Sequence, residues 1–270
     1  MNIPNKLYHY TTAENAFNII NTNIIRARDI RNLNDKMEGK LVKKILKKVL
    51  KNEKYTELSK RFDNENFFDF FDSFECYDFF TISFTDKIDD FNQWQNYGDN
   101  GKGYCIEFDT KKLKENFYNN IDHEISQSEN IDISVNKIIL QKCVYDEKKL
   151  IEEVEILLAE ADKQTETVLG LVPKLLKLST RYKENKYAKE SEWRFVLSFT
   201  SDEIKKFNLK NQFCEMKIIN NSHDSLNIQY DWLGKIFSGI KADENDFLNK
   251  FTNEKLREFI AEKIKKSKII

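Results

Sequence analysis

The stretch FFTISFTDKIDDFNQWQNYGDNGKGYCIEFD, residues 79–109, decides how the chain is read. Residues 79–85 carry β-favouring side chains and read as a strand, Phe91 to Tyr97 as a short helix, and GYCIEFD at 103–109 as a second strand. Between helix and strand, GDNGKG holds three of the chain's seven glycines, which predicts a tight turn with a close backbone approach. This order lacks the regular alternation of a doubly wound sheet, and no G-x-G-x-x-G follows a strand. A P-loop is absent as well, which sets aside Walker-type ATP hydrolysis. The fold class expected is α+β.

Outward from that stretch, Lys6 to Thr11 alternates as a strand, and Thr12 precedes a run with helical spacing of Ala13, Phe17 and Ile20. IIRARD at 24–29 reads as a second strand. LNDKMEG at 33–39 opens a helix whose apolar face is Leu41, Ile45 and Val49 and whose other face is lysine, ordinarily a solvated face. From Phe62 to Asp90, nine acidic residues stand against one lysine and are interleaved with phenylalanines, which predicts an amphipathic helix docked by its rings. IILQKCVY at 138–145 is strand-like, and a long helical region follows from about Glu147 to Lys186, broken near Pro173. EWRFVLSF, CEMKII at 214–219 and KIFSGI at 235–240 read as strands, and a basic amphipathic helix around Glu254 to Lys266 follows them.

Forty-four basic and 45 acidic side chains leave a net charge of -1, which argues against a whole-surface polyanion binder and permits a local basic patch. A chain of 270 residues that is 40% hydrophobic can bury a core needing neither metal nor disulfide. Cys76, Cys105, Cys143 and Cys214 form no C-x-x-C pair, and His9, His123 and His223 are too scattered for a multi-histidine centre, so no metal is expected. The chain opens on no basic-then-apolar leader and holds no 18-residue apolar run, so a cytoplasmic protein with no membrane partner is expected.

Three segments could carry chemistry. A strand over LYHYT sends Leu7, His9 and Thr11 to one side and Tyr8 and Tyr10 to the other, so His9 sits beside Thr11 just before a helix. A strand over KESEWRFVLSF, residues 189–199, puts Glu190, Glu192 and Arg194 on a charged face and Trp193, Phe195, Leu197 and Phe199 on a core face. Such a charged strip makes a workable site in a cleft, whereas on an open surface Arg194 would only neutralise Glu192. Between the two, Ser83 ends a strand. Trp94 and Tyr97, three apart on a short helix, fall on one side, either as core packing or as a flat surface for a planar ring.

LYHYT at 7–11, LNDKME at 33–38, ISFT with the W-x-x-Y of Trp94 and Tyr97, GKGYCIEFD at 101–109, ESEWR at 190–194 and IFSG at 236–239 together resemble an uncharacterised bacterial domain-of-unknown-function family. That family has no activity to carry over. His9 and Thr11 before a helix, ISFT followed by Tyr97, and Glu192 on a late strand also look like poly-ADP-ribose-polymerase-like ADP-ribosyltransferases of the H-Y-E type. The resemblance implies an ADP-ribosyltransferase-like split β-sheet core in a single domain over 1–270, with helical insertions at about 36–78 and about 147–188. It implies NAD as substrate, with His9 bonding the ribose next to the nicotinamide beside Thr11, and Tyr97 after Ser83 stacking on the nicotinamide. Glu192 would hold the ribose 2′-hydroxyl and stabilise positive charge. Tyr10 stands where that pattern has glycine, and Glu190-Ser191-Glu192 is similar to the E-x-E of arginine-modifying relatives, which implies that Glu190 orients or activates an acceptor.

This chemistry suits a chain poor in histidine. Breaking the N-glycosidic bond of NAD expels neutral nicotinamide, so the leaving group needs no proton and one carboxylate opposing the charge on the ribose suffices. Arg194 would hold Glu192 ionised or reach a phosphate, and Arg26 and Arg28 are candidates for the same phosphates. The acceptor stays open among protein, nucleic acid and water, and bacterial toxicity or phage defence would be a consistent setting. Two other readings compete. One is a metal-dependent nuclease using Glu190, Glu192 and some of Asp35, Glu38 and Asp109 as oxygen ligands. The other is a non-catalytic interaction module that docks a partner through the lysine-rich helix near 40–54 or the Phe/Asp segment at 62–90.

Overall fold

A computed structural model describes residues 2–30, 33, 40–73, 77–126, 138–163, 167–200, 213–218 and 230–269. The alternating N-terminal segment forms β1 (Lys6–Thr11), and the Thr12 hydroxyl accepts a hydrogen bond from the Asn15 amide at 3.2 Å to cap α1 (Ala13–Thr22). Asn23, left-handed at φ 54, ends that helix and turns the chain into β2 (Ile24–Asp29). The helix opening expected at 33–39 lies, Leu33 apart, outside the described residues, and the lysine-faced helix is α2 (Leu41–Val49).

The single amphipathic helix expected after Phe62 is corrected to two. Asn66 at φ 50 breaks the segment into α3 (Thr56–Asn64) and α4 (Phe67–Ser73), before β3 (Tyr77–Thr85). Next come α5 (Phe91–Asn96), β4 (Tyr104–Asp109), α6 (Thr110–Ser126) and β5 (Ile138–Lys142). The interrupted helical region expected over 147–186 comprises α7 (Glu147–Lys163) and α8 (Val172–Ser179), followed by a 3-10 helix over Asn185–Glu190. Pro173 stands in the first turn of α8, where a missing N–H costs nothing, so it opens a helix rather than breaking one. The remaining elements are β6 (Glu192–Thr200), β7 (Phe213–Lys217), β8 (Leu233–Ser238), α9 (Glu244–Asn249), α10 (Glu254–Lys263) and β9 (Ile264–Lys266). The terminal helix stops short of Lys266 because Ile264 takes extended backbone angles and leads into β9, which pairs parallel with β8.

These strands form one open sheet in the order β5-β6-β3-β1-β4-β8-β9, antiparallel except at β8 and β9, and β2 joins it through β3 and carries β7. The architecture is α+β, as the sequence predicts. One feature of the sheet positions the site. Along one edge β3 pairs with β6 from Tyr77 to Thr85, whereas its other edge forks. There Thr85 meets Tyr8 of β1, while Thr81 and Phe80 meet Arg28 and Asp29 of β2. Residues 82–84 lie between the two partners.

The pleat sorts the core. Phe80, Ile82 and Phe84 of β3 and Trp193, Phe195, Leu197 and Phe199 of β6 pack into one apolar cluster with α1 and α6. Phe79 and Val196, on the opposite face, join a second cluster built from α2, α3, α4, α7 and α8. Both stretches read as helical insertions therefore contribute to one helical layer over β3 and β6. Among the described residues no helix is long and apolar enough to cross a membrane.

The glycine turn forms as expected. Asp99, Asn100 and Gly101 have φ of 49°, 52° and 83°, and a Cβ on Gly103 would collide with the Thr11 carbonyl oxygen. The close approach belongs to the seam between β1 and β4.

Candidate functional site

The sheet fork opens into a cleft of about 1150 Å³. His9, Thr11, Arg26, Arg28, Ser83, Tyr97, Glu190, Glu192 and Arg194, all singled out from the sequence, line it. They come from β1, β2, β3, the end of α5 and the junction of the 3-10 helix with β6.

At the fork, His9 Nδ1 lies 2.9 Å from the Ser83 carbonyl oxygen. A carbonyl only accepts, so Nδ1 carries the proton and Nε2 of the neutral ring is left with a lone pair. The imidazole thereby takes over a backbone carbonyl beside the stretch of β3 that lies between β1 and β2. Burial favours the neutral ring and lowers the pKa of His9 below its ordinary 6.5, and the Ser83 carbonyl partly offsets this by favouring the protonated one.

Facing the fork is a chain of charged side chains. Arg194 is almost fully buried and grips Glu192 with both arms, Nε to Oε1 at 2.7 Å and Nη2 to Oε2 at 3.2 Å, while Nη1 donates to the Thr180 carbonyl at 3.1 Å. Lys183 Nζ donates to Glu192 Oε2 and Glu190 Oε2, each at 2.8 Å. Burial alone would push the Glu192 carboxyl up, but Arg194 and Lys183 outweigh it and bring the pKa down from 4.5 to about 2. Glu192 is therefore an anion at neutral pH. This arrangement assigns Arg194 to keeping it ionised.

Tyr97 closes the third side. Its hydroxyl donates to Glu190 Oε1 at 2.7 Å, and burial together with the Glu190 charge raises its pKa above the ordinary 10. The residue is 37% exposed and lines the cleft. Trp94 does not share that surface: it is buried against Tyr10 at 4.9 Å, with Nε1 donating to Asp89, and it does not line the cleft. The one-sided aromatic pair is thus corrected, because α5 ends at Asn96 and Tyr97 leaves the helical angles at φ -126.

Glu190 needs a second correction. It ends the 3-10 helix instead of sharing β6 with Glu192, and Ser191, left-handed at φ 46, turns the chain between them. Glu190 still reaches the cluster because its carbonyl accepts from Thr85 Oγ1 at 2.8 Å and Gln93 Nε2 at 3.0 Å. Tyr10, where the resembled pattern has glycine, packs on the opposite side with Trp94, and its hydroxyl bridges the Lys87 carbonyl and the Asp90 amide. Arg26 is exposed and pairs with Glu215 at 3.2 Å, while Arg28 is exposed and has no side-chain partner among the described residues.

Lys183 is the functional candidate that sequence reasoning missed. It lies in a stretch read as helix and is one of many lysines, so no local pattern marks it. Asp109, a proposed metal ligand, instead caps α6 by accepting from the Lys112 amide at 3.0 Å and does not line the cleft. Asp35 and Glu38 lie outside the described residues. The glutamate oxygens a metal would need already accept hydrogen bonds from Tyr97, Lys183 and Arg194. Phe62, Phe67, Phe71, Phe79 and Phe80 are buried in the core, and Lys48 and Lys54 pair with Glu147 and Glu155 of α7.

Residues 93–195 match the model of a family described as a protein of unknown function (DUF2971). The matched stretch contains Tyr97, Lys183, Glu190, Glu192 and Arg194, and excludes His9, Arg26 and Arg28. No curated protein and no solved structure matches the chain.

Proposed function

We propose that the cleft binds NAD as substrate and that the protein is an ADP-ribosyltransferase-like enzyme, cleaving the nicotinamide–ribose bond and passing ADP-ribose to an acceptor. The supporting observation is the convergence of His9, Tyr97 and Glu192, far apart in sequence, on one cleft at a fork in the sheet. Charge supports it further. Four cationic lining residues, Arg26, Arg28, Lys183 and Arg194, face three carboxylates, Glu190, Glu192 and Glu215, leaving one net positive charge among the described residues. A dinucleotide with two negative phosphates and one cationic pyridinium carries one net negative charge, so the two are complementary. In this reading Arg28 takes the diphosphate and Tyr97 the nicotinamide.

As the C1′–N bond breaks, its electron pair neutralises the departing pyridinium, and positive charge develops on the ribose. Glu192, fixed as an anion, opposes that charge, and the Nε2 lone pair of neutral His9 accepts from a ribose hydroxyl. The acceptor then bonds to C1′ and gives its proton to Glu190.

Incubation with NAD tests the reading through nicotinamide release and label transfer. Wild type is expected to release nicotinamide, and Glu192→Gln to do so at least about a hundredfold more slowly. Because that change leaves two buried cations with a neutral partner, Tyr97→Ala provides a second variant, expected to weaken NAD binding while keeping every charged residue, at the loss of one hydrogen bond to Glu190. No release and no NAD binding by wild type would remove the proposal.

A further inference from the structure

We propose that Lys183 is the positioning residue of the cleft: lodged between Glu190 and Glu192, it fixes the carboxylate that faces the ribose relative to the tyrosine that covers the nicotinamide. This rests on the reading of the cleft as an NAD site. The hydrogen bonds form one unbroken chain from Tyr97 Oη to Glu190 Oε1, from Glu190 Oε2 through Lys183 Nζ to Glu192 Oε2, and from Glu192 through Arg194 to the Thr180 carbonyl. In that chain Lys183 donates to both carboxylates. Arg194 contacts Glu192 through Nε and Nη2 and the Thr180 carbonyl through Nη1, so replacing Lys183 removes the ammonium that touches both carboxylates and leaves two buried carboxylates facing each other across the gap.

The lysine is itself held. Its amide donates to the Val144 carbonyl at 3.0 Å, next to a parallel bridge between Val144 and Tyr182, and its ammonium lies 4.9 Å from the Tyr187 ring. An ammonium on a flexible stem can serve two carboxylates that do not share a plane, whereas a guanidinium fork favours one. Lys183→Arg therefore separates charge from placement.

The experiment compares wild type, Lys183→Met and Lys183→Arg by site-resolved carboxylate NMR titration of Glu192 and by NAD turnover. In Lys183→Met the Glu192 titration is expected to move up from its wild-type value, and kcat for nicotinamide release to fall about tenfold or more while KM stays within about threefold. Lys183→Arg is expected to keep the low Glu192 titration and to recover only part of kcat; it also serves if the methionine variant does not fold. An unchanged Glu192 titration in Lys183→Met, or full kcat in either variant at a temperature where it is folded, overturns the proposal. If wild type releases no nicotinamide, the NAD reading fails, and the titration still decides whether Lys183 holds Glu192.

Discussion

Glu192 carries a charge where water scarcely reaches, and Arg194 and Lys183 make that possible. The cost appears as pH dependence. Its pKa falls from 4.5 unfolded to about 2 folded, so its contribution to stability is complete above pH 4.5 and is lost as pH drops toward 2. Thermal melts from pH 6 to pH 3 are expected to show a steeper loss for wild type than for Glu192→Gln; parallel curves would contradict the assignment. His9 adds an earlier loss. With its folded pKa below 6.5, the unfolded chain takes up a proton first, so its contribution is complete above about pH 6.5 and declines below. His9→Gln is expected to flatten stability between pH 7 and pH 5, and an unflattened profile would show that burial does not hold the ring neutral. Both residues were legible in the sequence, since period-2 alternation put each on a defined strand face. Lys183 was not, because its role depends on the segment after α8 bridging to Val144 and so bringing the ammonium to Glu190 and Glu192, and nothing local encodes that.

Among the elements, α5 governs the aromatic wall. Asp90 caps it by accepting from the Gln93 amide at 3.1 Å, and Gln93 in turn donates to the Glu190 carbonyl. Asp90→Ala is expected to cost about 1 kcal/mol of stability. It is also expected to raise KM for NAD by loosening Tyr97, measured by denaturant unfolding and initial rates. A stability loss with unchanged KM would separate the helix from the site. At the β1–β4 seam, Gly103→Ala forces a side chain against the Thr11 carbonyl and is expected to destabilise by about 2 kcal/mol, checked by the same unfolding curves. Existence and type of most elements followed from periodicity, and their ends did not. Asn66 and Ser191 adopt left-handed angles that usually call for glycine, so neither the break before α4 nor the turn before β6 was signalled. Those two turns account for the merged helix and for Glu190 being placed on β6.

Across the whole molecule, the site exists because β1 and β2 compete for one edge of β3. That pairing joins residues more than fifty positions apart, which no window of sequence displays, although the α+β class and the two helical stretches were readable. The helical layer lies to one side of the fork, and the cleft is lined from β1, α1, β2, β3, α5, β7 and the start of β6 with the approach to it. Hydrogen exchange with NAD present is therefore expected to slow at residues 9–12, 81–85, 93–97 and 183–194 and to stay unchanged over α2 and α3. Protection spread evenly over the chain would mean general stabilisation, not occupancy of the cleft.

The most direct measurement is a structure of Glu192→Gln crystallised with NAD. Nicotinamide against the Tyr97 ring, the adjoining ribose between His9 and residue 192, and the diphosphate toward Arg28 are the predicted result. NAD bound elsewhere, or a cleft that stays empty at saturating dinucleotide, would contradict the account.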